Sequence, residues 1–289
     1  MSLSFKKINP YLRLMRVDRP VGTILVLMPT LWSLWIASEG HPSGPFVAVF
    51  TLGCFLMRSA GCVMNDIADR KFDPLVQRTK SRPIASGEVT VKEGLALFLI
   101  LSLLSFFLVL TLNRLTLYLS FIGLLLAVLY PFSKRILSVP QFVLGGSFGW
   151  GAIMAWGAVQ NRIGLPALLI FIANIFWSLA YDTIYALMDR EDDLKIGVKS
   201  TAILFGEKSW LAIGVFLFAV LIFLGWKGYL AHLHLFFFLI LSGVGGAFAW
   251  QTNQLRNAST PGLAFRLFKN HGTLGTIILI GIILDYLIH

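Results

Sequence analysis

Nine long apolar stretches dominate the chain, at residues 21–37, 46–64, 95–112, 117–132, 142–159, 167–187, 211–225, 233–250 and 274–287. Most approach the ~20 residues that a helix needs to cross a bilayer, and the shorter ones can draw on flanking residues. Within lipid each backbone amide must find an internal partner, so apolar segments of this length predict helices. A β-barrel would instead show ~10-residue segments of alternating polarity, and none appear. Composition agrees: 57% of the 289 residues are hydrophobic and 13% are charged, against roughly 25% charged in a soluble domain. The expected fold is all-α and integral to a membrane, with nine transmembrane helices in one bundle formed by residues 1–289 as a single domain. The narrowest division lies at Asn113 and Arg114, between the third and fourth spans.

The net charge of +10 raises the possibility of nucleic-acid binding, and the placement of the charges argues against it. With the N-terminus in the cytoplasm, 20 of the 24 Lys and Arg fall in cytoplasmic segments. Only Arg114, Arg162 and Lys227 face the other side, and Arg58 lies inside a span. This is the positive-inside asymmetry of an inner-membrane protein, and it accounts for the basic balance without nucleic acid. The N-terminal residues are basic and interrupted by Asn9, Pro10 and Pro20, so no cleavable leader is expected. Cys54 and Cys62 lie in one apolar run and suit packing rather than metal binding or a disulfide. His232 and His234 stand apart from the acids and read as interfacial residues.

Acidic residues concentrate after the second and sixth spans. The first cluster, residues 65–73, reads NDIADRKFD; the second, residues 181–193, reads YDTIYALMDREDD. Asp69 and Asp189 are 120 residues apart, as are Asp73 and Asp193, which suggests a weak internal repeat offset by four helices. On a continuous helix Asn65, Asp69 and Asp73 share a face, with Arg58 and Cys62 on nearly the same stripe. Asp189 and Asp193 share another, with Asp182 and Tyr185 along the same side. Asp66 and Asp192 are expected to point away. Clustered carboxylates repel one another unless cations join them. Hard oxygen ligands suit Mg²⁺, which takes one or two protein carboxylates and completes its shell with phosphate oxygens and water. Two such clusters facing each other, with Arg and Lys nearby, suit a diphosphate leaving group.

These residues resemble a known family. The first cluster is similar to the NDxxDxxxD signature of UbiA-type membrane prenyltransferases. The second, continuing through IGVKSTAILFG at residues 196–206, resembles the 4-hydroxybenzoate polyprenyltransferase branch. Arg16 with the DRPVG run at 18–22, the RTKSRP run at 78–83 and the YPFSKR run at 130–135 also match, in the same order and over nearly the whole chain. The resemblance implies a bundle with a central cavity opening to the cytoplasmic side, Mg²⁺ on both acidic motifs, and transfer from a polyprenyl diphosphate to 4-hydroxybenzoate. It implies metal binding at Asn65, Asp69, Asp73, Asp189 and Asp193, the four aspartates being the catalytic set. Arg16, Arg70, Lys134 and Arg135 are the implied diphosphate contacts, with ordinary positive-inside anchoring as the alternative, and Tyr185 is a further substrate contact.

Arg58 stands apart, about 10 Å along the helix axis from Asn65. A charge inside a span is costly and points to a site facing the bundle interior, and a guanidinium suits the carboxylate of hydroxybenzoate. The alternative is a structural pair with a helix carbonyl or with Asp182. Two other functions fit less of the pattern. A prenyltransferase with another aromatic acceptor explains all but the second motif. A cation transporter would place its acids near the midplane, between broken helices.

Overall fold

In a computed structural model the described residues are 9–258 and 260–289, without the side chains of Lys134 and Ile196. Their regular secondary structure is all helical, with no strand among them. A short helix α1 (Pro10–Leu14) leads into α2 (Val21–Ala37), α3 (Gly44–Asp69), α4 (Val91–Val109), α5 (Arg114–Ile136), α6 (Pro140–Gln160) and α7 (Leu165–Ala186). Two short helices follow, α8 (Arg190–Ile196) and α9 (Thr201–Phe205), before α10 (Ser209–Leu230), α11 (Leu235–Asn257) and α12 (Pro261–Ile288).

Among the described residues, eight helices are long and apolar enough to cross a membrane. The ninth expected span forms as the apolar helix α2, whose 17 residues fall short of that length. Local chemistry sets the ends. Thr90 and Glu93 form a reciprocal capping box at the start of α4, and Asn113 accepts the Thr116 amide at the start of α5, each supplying a partner for an otherwise orphaned donor. Proline opens α3, α6, α7 and α12, where its missing N–H costs nothing. The start of α11 is capped from a distance: buried Asp285 on α12 accepts the amides of His234 at 2.8 Å and Phe237 at 3.0 Å.

The helices form a ring in chain order that closes where α12 packs on α2, with α7 at its most buried position. Helices surrounded by lipid gain little from hydrophobic exclusion and associate through close packing and interhelical hydrogen bonds. Both occur here. Trp32 Nε1 donates to the Gly275 carbonyl at 3.0 Å and Ser33 to that of Ala152 at 2.7 Å. Asn174 Nδ2 donates to the Gly145 carbonyl at 2.9 Å. At Gly145, α6 and α7 approach so closely that a Cβ would lie 2.8 Å from the Ile175 Cα. Gly145→Val should therefore cost about 1–3 kcal/mol through overpacking, seen as a lower melting temperature in detergent. An unchanged melting temperature would show that this contact can yield.

Two clusters fill the interior. The larger runs through α2, α6, α7 and α10–α12. The smaller joins Leu14 of α1 to Ala60, Val63 and Ile67 of α3 and to Phe98 and Leu101 of α4. A cavity of about 1410 Å³ is bounded by residues from both sides of this division.

Candidate active site

At one end of the cavity the two acidic motifs meet. Asn65, Asp66, Asp69 and Asp73 line it from the first motif, and Asp182, Tyr185, Asp189 and Asp193 from the second. Two motifs 120 residues apart thus border one cavity.

The local geometry departs from the continuous helical stripes. Helix α3 ends at Asp69, where Asn65 Nδ2 donates to Asp69 Oδ2 at 3.0 Å. Asp73 is not on that helix; it opens a short 3₁₀ turn, Asp73–Leu75. Pro74 has no N–H to bond the Arg70 carbonyl and its ring crowds that carbonyl, so α3 cannot run on through it. Likewise α7 ends at Ala186, Asp189 precedes α8 without a side-chain capping bond, and Asp193 lies within α8. Asp66, expected to point away, is 1% exposed and lines the cavity. Its Oδ1 accepts from Arg16 Nη2 at 2.6 Å and lies 3.3 Å from Arg82 Nη1. Asp192 does point elsewhere, toward Lys195 at 3.5 Å.

Arginines from the α3–α4 connection enter this cluster, and the sequence reading did not single them out as contacts. Arg78 binds Asp189 through two nitrogens, Nε at 2.9 Å and Nη2 at 2.5 Å, while its Nη1 donates to the Tyr185 hydroxyl at 2.5 Å. Arg82 Nη1 donates to both oxygens of Asp73 at 3.0 Å. Burial pushes the Asp73 carboxyl above its ordinary value; Arg82 opposes this, while Asp66 and Asp69 reinforce it. Burial alone would lower Arg82, but Asp66 and Asp73 outweigh it and hold the guanidinium above its ordinary value. Arg78 is likewise raised against burial, by Tyr185 and Asp189. The RTKSRP run was available as a signal, but a coil has no periodicity to tell which of its cations turn inward.

The other expected contacts divide. Arg16 lines the cavity. Arg135 does too; its Nη2 donates to the Ala68 carbonyl at 2.5 Å and its guanidinium lies 5.3 Å from the Phe72 ring centroid. Arg70 does not belong to the lining: it is exposed and bonds back to the Ile67 carbonyl at 2.9 Å, because α3 ends there. The side chain of Lys134 is outside the described residues. Lys269 and Phe268 join the lining from α12, which begins 13 residues before the expected span. Phe268 packs against Tyr185 at 4.7 Å between centroids. Cys54 and Cys62 are both buried and both border the cavity.

The same lining includes Arg58, Phe148, Tyr130 and Tyr181. The Arg58 guanidinium is 5.3 Å from the Phe148 centroid, and its buried Nε has no hydrogen-bond partner. It passes so close to α2 that a Cβ on Gly22 would meet its Nη2 at 2.5 Å. An unsatisfied buried donor is expensive and calls for an explanation, and a bound anion would supply the missing partner. Beyond Arg58 the lining is mainly apolar, with Phe106 and Val109 of α4, Leu112 just after it, and Phe121, Leu124 and Ala127 of α5, beside Ser102, Ser105 and Ser120. One end can therefore hold a multiply charged group, the middle an anion and a ring, and the far arm a long hydrocarbon.

Residues 26–272 match the model of the UbiA prenyltransferase family. The chain is 51% identical to a 4-hydroxybenzoate octaprenyltransferase of Cronobacter sakazakii, covering 99% of this chain and 98% of that protein. It is 49% identical to one of Klebsiella pneumoniae, covering 99% of each. Among solved structures, a UbiA homolog from Aeropyrum pernix K1 matches with a TM-score of 0.80 at 24% identity, over 91% of this chain and 97% of that one. A UbiA homolog from Archaeoglobus fulgidus bound to DMAPP and Mg²⁺ matches with a TM-score of 0.73 at 15% identity, over 97% and 100%. With most of its length matching the family model and nearly all of it shared with these relatives, the chain belongs to the UbiA prenyltransferase family.

Proposed function

We propose that this protein transfers a polyprenyl group, of octaprenyl length in the relatives' names, from its diphosphate to the ring carbon ortho to the hydroxyl of 4-hydroxybenzoate, a step of ubiquinone biosynthesis. The observation that carries this reading is a single cavity with two acidic motifs at one end, Arg58 in the middle and an apolar arm beyond. Only a substrate pair combining a diphosphate, a benzoate-like ring and a long hydrocarbon uses all three regions.

The residues fit Mg²⁺. Their donors are the hard oxygens of Asn65, Asp69, Asp73, Asp189 and Asp193, all bordering one cavity. Mg²⁺ takes one or two protein carboxylates and completes its shell with phosphate oxygens and water. When bound, Mg²⁺ supplies positive charge to the diphosphate as its bond to the allylic carbon breaks. The chain's own cations do the rest of that work: Arg16, Arg78 and Arg82 bind phosphate oxygens, Arg78 and Arg82 releasing part of their hold on Asp189 and Asp73. Arg58 takes the acceptor carboxylate and sets the ring. The faces of Tyr185, Phe268 and Phe148 flank the path of the allylic cation. The ring carbon then attacks and its proton leaves, restoring aromaticity.

Purified protein given a labelled octaprenyl diphosphate, Mg²⁺ and a panel of acceptors tests this reading. Product from 4-hydroxybenzoate is expected, and product only from naphthoate or porphyrin acceptors would refute it.

The site faces the cytoplasm of a bacterial inner membrane in this reading, supported by the 20 of 24 Lys and Arg on that side. In a background lacking Cys54 and Cys62, single cysteines near Arg82 and Gly197 should label with an impermeant thiol reagent only from the cytoplasm. Those near Ser43 and Arg162 should label only from outside. Labelling of both pairs from one side would overturn the orientation.

A further inference from the structure

Asp66 is the most buried acid of the first motif, and two guanidinium groups from distant parts of the chain reach the same oxygen. Arg16 Nη2 is 2.6 Å from Oδ1 and Arg82 Nη1 is 3.3 Å from it. Oδ2 is buried without a hydrogen-bond partner. Arg16 follows α1 with its backbone in the left-handed region, φ 58°, which residues bearing a side chain rarely adopt. Its Nη1 returns to the Arg13 carbonyl at 2.8 Å, so this unusual turn and the Asp66 bond together hold the guanidinium at the cavity wall. Arg82 comes from the α3–α4 connection and is shared between Asp66 and Asp73.

We propose that Asp66 is a positioning residue: it acts through Arg16 and Arg82, holding both against the cavity where the diphosphate binds, and is not itself a metal ligand. The proposal rests on the prenyl-transfer reading above. Its electrostatic basis is simple. A carboxylate oxygen flanked by two guanidinium groups is a poor seat for a divalent cation. It is well suited to fixing those groups so that little ordering remains when phosphate arrives. The same contacts join three separate pieces of chain, the end of α1, the end of α3 and the α3–α4 connection. They assemble the phosphate-facing wall before substrate binds.

The test compares Asp66→Asn with Asp69→Asn. Asp66→Asn should raise the donor KM about tenfold or more, the size carried by a charge-assisted hydrogen bond. The acceptor KM and the Mg²⁺ concentration for half-maximal rate should stay within about twofold of wild type. Mn²⁺ binding in the presence of inorganic pyrophosphate, followed by electron paramagnetic resonance without turnover, should be retained in Asp66→Asn and weakened in Asp69→Asn. Because Asp66 acts through the arginines, adding Asp66→Asn to Arg16→Gln/Arg82→Gln should change the donor KM little further. Loss of Mn²⁺ binding in Asp66→Asn would make it a ligand and overturn the proposal, as would effects that multiply in the triple variant. Should Asp66→Asn not fold, Asp66→Glu decides, since it keeps the charge but displaces both arginines: a raised donor KM with Mn²⁺ binding retained supports the proposal, and weakened Mn²⁺ binding or an unchanged donor KM overturns it. Absence of transfer by the wild-type protein would be a failure of the prenyl-transfer reading instead.

Discussion

Asp69→Asn and Asp189→Asn should each lower turnover by roughly 100-fold or more, on the order of what one preorganised charge-stabilising group contributes to a transition state. Both residues border the cavity end where the two motifs meet. An amide keeps the size and one oxygen of the carboxylate but removes the charge that draws Mg²⁺ and the diphosphate together. Raising the Mg²⁺ concentration should restore part of the activity, since the defect is one of affinity. The two variants should differ structurally. Asp189 is held by Arg78 through two nitrogens, so Asp189→Asn also loosens that arginine and should raise the donor KM more. The measurement is turnover against Mg²⁺ and donor concentration, on protein whose melting temperature matches wild type. Near-normal turnover at limiting Mg²⁺ in either variant would remove that residue from the metal site.

For Arg58 the expected loss falls on the acceptor. Arg58→Leu should cost about 2–5 kcal/mol in acceptor kcat/KM, the usual range for truncating one partner of a buried charge pair. The donor KM should change far less, because Arg58 lies seven residues before Asn65, well away from the acidic cluster. Arg58→Lys keeps a charge but loses the planar fork, so the acceptor KM should rise by a smaller factor. Arg58→Leu should also narrow the preference for benzoates over uncharged phenols. The unpartnered Nε and the position of the guanidinium on the cavity wall motivate this assignment. Equal increases in both KM values would show that Arg58 shapes the cavity as a whole and that the carboxylate binds elsewhere.

Periodicity and charge made much of this architecture legible. Residues 21–37 appear as α2 with the same bounds, and each other apolar stretch lies largely within one helix. The errors fall at helix ends. Helix α12 starts at Pro261 because Arg266, Lys269 and Asn270 occupy a helix that continues beyond its apolar part, and hydropathy cannot see a polar helical extension. Asp73 was extended onto the α3 stripe although Pro74 was present to stop it. Helical spacing alone turns Asp66 away from the face that carries Asn65 and Asp69. The α3–α4 connection folds back over the helix end, and Arg82 meets Asp66 there.

The spans and the acidic motifs were decided by the sequence alone, because the energies behind them are local. Lipid exposure penalises every unpaired backbone amide within a segment, and helical spacing puts Arg58, Asn65 and Asp69 on one stripe wherever the helix sits. Only the tertiary structure decided which charges pair. Arg78 and Asp189 are 111 residues apart, and Arg16 and Asp66 are 50 apart. An ion pair depends on a separation of a few ångströms and on burial from water, and neither is a property of spacing along the chain. The α3–α4 connection has no period to read, so its two inward arginines became visible only once the ring of helices had closed around the cavity.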